Sequence, residues 1–240
     1  MSRVSGKAAV VTGGTRGIGL AITTLLLEKG ARVHVCGTTQ DGLDSALARL
    51  SRLFPGRASG TVCDLRVAAE VDRLFHEAAA TLGGVDLLVN NAGVGIFRNV
   101  EQLSVDEWDT TIGTNLSAVF YCCRAAIPLL KQRGGGCIIN IGSLAGKNAF
   151  AGGAAYNASK FGLVGFSEAL MQEVRYDHIR VSCVMPGSVD TDFGRSRAGD
   201  PSTTWKLKPE DVAEVVVGVL EMDPRALPSR IELRPSEPKK

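Results

Sequence analysis

A tyrosine and a lysine stand four residues apart in "YNASK", Tyr156 and Lys160, a spacing that stacks both on one face of a helix. A free tyrosine titrates near pH 10, too high for acid–base work at neutral pH, and a neighbouring ammonium lowers it by favouring the phenolate. Such a pair is common on helices and by itself carries no function. Ser143 changes that reading. It follows the apolar run "CIINIG", thirteen residues before Tyr156, and a hydroxyl at a strand end can hold a substrate oxygen.

These side chains need a scaffold, and the sequence describes one. Short apolar runs, "KAAVVTG", "ARVHVCG", "ASGTVCD", "DLLVNNAG", "GCIINIGS", "IRVSCVMP" and "SRIELRP", alternate with helical patterns near 17–29, 41–53, 67–82, 105–133, 155–177 and 209–221. That alternation predicts an α/β fold, a doubly wound parallel sheet with helices on both faces, in one domain over residues 1–240. Ligands of such sheets sit beyond the carboxyl ends of the strands, and the polar and glycine-rich motifs of this chain fall at such ends. The one long irregular segment, Ser188 to Lys208, is polar but carries Phe193 and Trp205, and a loop of that length points to function or mobility.

The first strand runs into "VVTGGTRGIG", where Gly13, Gly17 and Gly19 precede a helix. Such a turn can bring backbone N–H groups and a helix N-terminus against a phosphate. An ordinary βα turn would not need three glycines, each with its entropic cost. Sites for NAD place a carboxylate at the end of the second strand to bond the ribose 2′-hydroxyl. Here that place reads Cys36-Gly37-Thr38-Thr39, with no acid before Asp41. Arg16 adds a fixed positive charge beside the loop, and Thr38 or Thr39 can donate hydroxyls. The combination favours NADP(H), with NAD(H) left open.

The set "TGGTRGIG", "NNAG", "TNLS", "IGS", "YNASK" and "PGSVDT" resembles the short-chain dehydrogenase/reductase family, in its order and spacing from about residue 5 to 192, with β-ketoacyl-acyl-carrier-protein reductases among the branches that look nearest. The resemblance implies a seven-stranded Rossmann sheet and hydride transfer between NAD(P)(H) and an alcohol or carbonyl. By it, Tyr156 is the general acid, Lys160 lowers its pKa and bonds the nicotinamide ribose, and Ser143 hydrogen-bonds the reacting oxygen. Asn115 is the fourth catalytic residue, which keeps a water in the proton relay. Around the cofactor the resemblance places Thr15, Arg16 and Ile18 with the three loop glycines, then Thr38, Asp64 and Leu65. Asn91, Ala92 and Gly93 line the adenosine ribose, and Pro186, Gly187, Val189 and Thr191 hold the carboxamide. Arg16 faces the 2′-phosphate in NADP-preferring members. Asp64 is read as the acceptor for the adenine amino group, a role that can coexist with that of a helix N-cap.

Substrate contacts are expected from Ser143, Leu144, Ala145, Phe150, Ser188, Phe193 and Trp205, with Phe97 beside them. This apolar mixture fits a small, largely uncharged ketone or aldehyde. The chain ends in "SRIELRPSEPKK", unlike many of the reductases, and Asp177 stands at the end of the catalytic helix where an acidic carrier would want a base. Two further readings stay open: the same chemistry run as alcohol oxidation or on 3-oxoacyl thioesters, and a nucleotide-sensing protein without catalysis. The complete Asn115, Ser143, Tyr156 and Lys160 set speaks against the last.

The bulk numbers agree with an enzyme of this kind. A net charge of +2 and a pI near 8.2 imply neither nucleic acid nor a membrane surface as partner, and Lys239 and Lys240 read as a solvated tail. Six cysteines, at 36, 63, 122, 123, 137 and 183, form no C-x-x-C pair and read as reduced, buried thiols. No metal is assigned. With no signal peptide and no spanning stretch expected, the protein is placed in the cytoplasm. Ile112, Leu116, Val119, Phe120, Cys123, Ile127 and Leu130 form a helical stripe. The stripe reads as core packing, and the resemblance adds a homodimer or homotetramer built on this helix and the catalytic one.

Overall fold

The architecture was obtained as a computed structural model, which describes residues 2–194 and 198–238. Seven parallel strands form one sheet: β1 (Ala8–Thr12), β2 (Arg32–Gly37), β3 (Ala58–Val62), β4 (Leu87–Asn90), β5 (Gly136–Ile141), β6 (Ile179–Pro186) and β7 (Arg230–Leu233), in the order β3-β2-β1-β4-β5-β6-β7. The order reverses between β1 and β4, and a crevice opens there beyond the strand ends. The expectation of a doubly wound sheet with helices on both faces holds.

The strands read as continuous apolar runs because both faces are covered. On one face, Val11 and Val35 pack with Ile22, Leu26 and Leu27 of α1 (Gly17–Glu28), Leu43 and Leu50 of α2 (Gln40–Leu53), and Val212, Val216 and Leu220 of α7 (Pro209–Glu221). On the other, Val10, Leu88 and Ile138 meet Val71, Leu74 and Phe75 of α3 (Ala68–Leu82), Val119 and Cys123 of α5 (Ala118–Gln132), and Leu163 and Leu170 of α6 (Ala154–Val174). Each fully buried Leu, Ile or Val contributes roughly 1.5–3 kcal/mol. The site can therefore rest on strand ends that do not move.

Local chemistry sets the boundaries. Thr39 caps α2 by accepting from Gly42 N. Ser104 and Glu107 form a reciprocal capping box at α4 (Val105–Ile112), satisfying two otherwise orphan donors. The single helix expected over 105–133 is in fact interrupted. Residues Gly113–Ser117 form a π-helical turn between α4 and α5, because the Asn115 side chain is drawn out of register onto the main chain of Val94.

The segment 188–208 is tied at its base, where Asp190 N donates to Leu207 O at 2.8 Å and Leu207 N to Ser188 O at 3.0 Å. All six cysteines are free and buried, as their spacing implied. The expected solvated tail at Lys239 and Lys240 lies outside the described residues.

Candidate active site

A cleft of about 960 Å³ runs along the carboxyl ends of β1, β2, β4, β5 and β6, large enough for a cofactor and a small substrate together. Its floor begins at the glycine turn. Gly13 takes φ +62°, and a Cβ on Gly19 would lie 2.1 Å from the Gly13 carbonyl oxygen, so α1 can start against the loop only because that Cβ is absent. The turn is fixed from the side as well. Asn91 Nδ2 donates to Thr12 O and Gly13 O at 3.0 and 3.1 Å, while Asn91 N and Ala92 N donate to Thr12 Oγ1. This is a cradle that backbone N–H groups and a helix start can offer to a pyrophosphate. At its rim stand Arg16 and Thr38, both exposed.

The chemistry-bearing residues lie at the other end of the cleft. Ser143 lies two residues beyond the end of β5, after Gly142, and its Oγ accepts from Ala145 N at 3.1 Å. Tyr156 and Lys160 project from the first turns of α6. Lys160 is buried, with Nζ donating to Ile141 O at 2.9 Å, and burial pulls its pKa down to about 8. Tyr156 departs from expectation. Burial raises it above the ordinary phenol, opposed by a hydrogen bond with Ser143. The expected lowering by Lys160 is absent because the ammonium is held on the Ile141 carbonyl, 5.8 Å from the ring centroid, while the rings of Phe97 and Phe193 shut solvent from the phenol.

Of the residues expected around the dinucleotide, all line the cleft except Gly19 and Asp64. Gly19 acts from behind the loop. Asp64 pairs with a neighbour: its carboxylate accepts from Arg66 Nε, Nη2 and main-chain N at 2.7–3.2 Å, and this pairing holds its pKa below the usual carboxylate range. Nor does it cap α3, which starts at Ala68 after Val67 with no side-chain cap. All the expected substrate contacts line the cleft. Asn115 does not. It is buried at the π-turn, where Oδ1 accepts from Val94 N at 2.8 Å and Nδ2 donates to Val94 O at 2.9 Å and Ser159 Oγ at 3.1 Å. Its side chain is a brace, and a proton-relay water would have to be held by other atoms.

Several contributors were not anticipated. Asn157, within "YNASK", bonds the loop after Ser143: its Nδ2 donates to Ala145 O at 2.7 Å and Asn148 O at 3.2 Å, and its Oδ1 accepts from Phe150 N. The C-terminal segment also reaches the cleft through Arg234, Pro235 and Pro238, held by Gly187 N donating to Leu233 O and by Glu232 pairing with both Lys147 and Arg234. Polarity between Tyr and Lys was a possible signal for Asn157. Nothing local marks the tail.

With this geometry in place, comparison with known proteins is decisive: the family described as short chain dehydrogenase matches residues 7–201. The chain belongs to that family. It is an oxidoreductase enzyme of the short-chain dehydrogenase/reductase class, acting on the CH–OH or keto group of small molecules. A 3α-hydroxysteroid dehydrogenase of Mediterraneibacter gnavus is 38% identical over 188 residues, 78% of this chain and 75% of its own. A 3-oxoacyl-[acyl-carrier-protein] reductase of Chlamydia muridarum is 37% identical over 200 residues, 83% and 80% of the two chains. A crystallised metagenomic short-chain oxidoreductase in complex with NADP superposes with a TM-score of 0.85 at 36% identity, covering 99% of this chain and all of its own. A nicotinamide dinucleotide is thus the enzyme's cofactor. Among the described residues no helix is long and apolar enough to cross a membrane.

Proposed function

We propose that the enzyme is an NADPH-dependent carbonyl reductase acting on an apolar ketone or aldehyde. The observation that carries this reading is that Ser143, Tyr156 and buried Lys160 line the same cleft as the glycine turn. Bound NADPH supplies the hydride taken up by the carbonyl carbon. Tyr156 donates its hydroxyl proton to the carbonyl oxygen, so hydride and proton together make the alcohol. Ser143 Oγ hydrogen-bonds the same oxygen as charge develops there. Lys160, an ammonium below about pH 8, would hold the nicotinamide ribose, and a solvent proton restores the phenol after Tyr156 has given up its own. Tyr156, which burial raises above the ordinary phenol value, is protonated at neutral pH, the state a proton donor needs.

Preference for NADP(H) rests on exposed Arg16 and on Thr38 where an acid would repel a 2′-phosphate. The NADP complex of the metagenomic relative is in line with it. Against an acyl-carrier substrate stands Asp177, just beyond α6 and paired with Lys131 at 2.8 Å, where the resemblance puts carrier-docking bases; Arg175 and Arg180 on either side of it keep that substrate open. We place the enzyme in the cytoplasm on its six free thiols. We also propose a homodimer or homotetramer through α5 and α6, where Phe120 and Phe161 are 48% and 45% exposed, an apolar patch of the kind that a second copy covers.

The test is oxidation of NADPH, with NADH in parallel, across ketones, aldehydes, quinones and short β-ketoacyl thioesters, with Tyr156→Phe as the blank. Carbonyl-dependent turnover that vanishes in the variant, while the dinucleotide still binds, is the expected result. Near-normal turnover in Tyr156→Phe would remove Tyr156 from the role of acid.

A further inference from the structure

We infer that Phe97 and Phe193 form an aromatic clamp on Tyr156 that selects flat, aryl or fused-ring carbonyl compounds over saturated ones of equal size. This rests on the carbonyl-reductase reading and names the substrate class of that site. The Phe97 ring meets the Tyr156 ring edge-on at 5.4 Å between centroids, and the Phe193 ring meets it at 5.8 Å; Phe150 backs Phe97 at 5.8 Å. These are the separations at which aromatic rings attract each other beyond the area they bury.

Two glycines let the rings converge. A Cβ on Gly95 would lie 2.5 Å from Phe193 Cε1 and 3.1 Å from Phe97 Cε2, and a Cβ on Gly194 would lie 2.8 Å from Phe97 Cε2. The loop that carries Phe193 is pinned around it. Asp192 Oδ1 accepts from Ala198 N at 2.9 Å, and the Asp190 carboxylate accepts from Gly199 N and from Thr203 Oγ1. Both carboxylates near the clamp are thus engaged with their own loop, which positions the backbone on either side of Phe193 while its ring stays free to turn toward a substrate.

A planar ketone whose carbonyl reaches Tyr156 and Ser143 must lie against these rings, replacing their mutual contacts with equivalent ring contacts. A saturated chain gains no such geometry and loses rotamer freedom on entry. With two ring contacts at stake, the preference amounts to about tenfold in kcat/KM.

The experiment compares 2-acetylnaphthalene with 2-decanone, in NADPH-dependent turnover and in equilibrium binding to enzyme loaded with NADP⁺, for the wild type, Phe193→Leu and Phe193→Tyr. Leucine keeps an apolar side chain at the position without the ring, and tyrosine keeps the ring. The expected result is a preference of about tenfold for the aryl ketone, retained by Phe193→Tyr and reduced to about twofold in Phe193→Leu. A wild-type ratio near one, or a ratio unchanged in Phe193→Leu, overturns the clamp. Should neither ketone turn over, the binding ratio decides alone: a preference lost in Phe193→Leu keeps the clamp while the reductase reading falls, and no preference overturns both.

Discussion

Replacing Asn115 with alanine should destabilise the enzyme before it affects any chemical step. The side chain is 1% exposed, and the substitution removes three hydrogen bonds: from Val94 N at 2.8 Å, to Val94 O at 2.9 Å and to Ser159 Oγ at 3.1 Å. A buried partner left without its bond costs about 1–3 kcal/mol. Val94 lines the cleft, so water can reach its peptide group and the low end applies, about 3 kcal/mol for all three bonds. Unfolding entropy near 2 cal/mol/K per residue makes this about 6 °C in melting temperature for a chain of this length. Gly93 lies beside the brace, its Cβ position only 3.2 Å from Asn115 Oδ1, so the affinity for NADPH should fall severalfold with the shift of that wall. Thermal unfolding and NADPH titration of Asn115→Ala check both statements. Asn115→Asp is a sharper comparison: it keeps the acceptor for Val94 N but sets an anion against Val94 O, so its defect should ease as pH falls and the carboxyl takes up a proton. A melting temperature within about one degree of wild type for Asn115→Ala would refute the brace.

Three further outcomes are expected. The reductive rate should be flat below about pH 8 and fall roughly tenfold per unit above it as Lys160 loses its charge; since Tyr156 titrates above the ordinary phenol value, a profile level to pH 10 would take the ammonium out of the mechanism. Arg16→Ala should raise KM for NADPH about tenfold or more and leave that for NADH unchanged; equal effects on both would sever Arg16 from the 2′-phosphate. His34 is buried between Ser59 Oγ at 2.9 Å and Thr61 Oγ1 at 3.0 Å, with Glu77 beyond Thr61, and burial lowers its pKa to about 4. Its folded pKa lies below the unfolded value, so the stability it confers as a neutral ring is present above pH 6.5 and lost as pH falls toward 4. The loss is at most about 3 kcal/mol. Urea unfolding across that window should show a shallower acid loss in His34→Gln than in wild type, and parallel curves would count against the assignment.

The strands were legible because burial on both faces made them unbroken apolar runs, and the glycine turn because a β-strand led into it and a helix left it. Legibility failed where a nearby partner or a distant one decides the outcome. Asp64 looked like the N-cap of α3, but its carboxylate pairs with Arg66, two residues on, and the helix starts without a side-chain cap. The π-turn at Asn115 was hidden by an apolar stripe that keeps helical spacing through it, since what widens the turn is Val94, 21 residues earlier. The tail was harder still. Pro235 comes within contact of Gly187, where an added Cβ would stand 3.3 Å from its Cδ, and nothing in "RPSEP" announces a wall of a cleft.

These failures share a cause with the Tyr156 result. A helical spacing of four places an ammonium near a phenol, but it does not say which acceptor the ammonium will choose. In this fold the Ile141 carbonyl at the end of β5 takes Lys160, and the phenol is left to Ser143 and to the surrounding rings. The apolar surroundings that raise the pKa of Tyr156 are the same ones that would grip a flat substrate. Raising the pKa of Tyr156 and selecting an apolar carbonyl are therefore two consequences of one feature, and relaxing the clamp at Phe193 should move both.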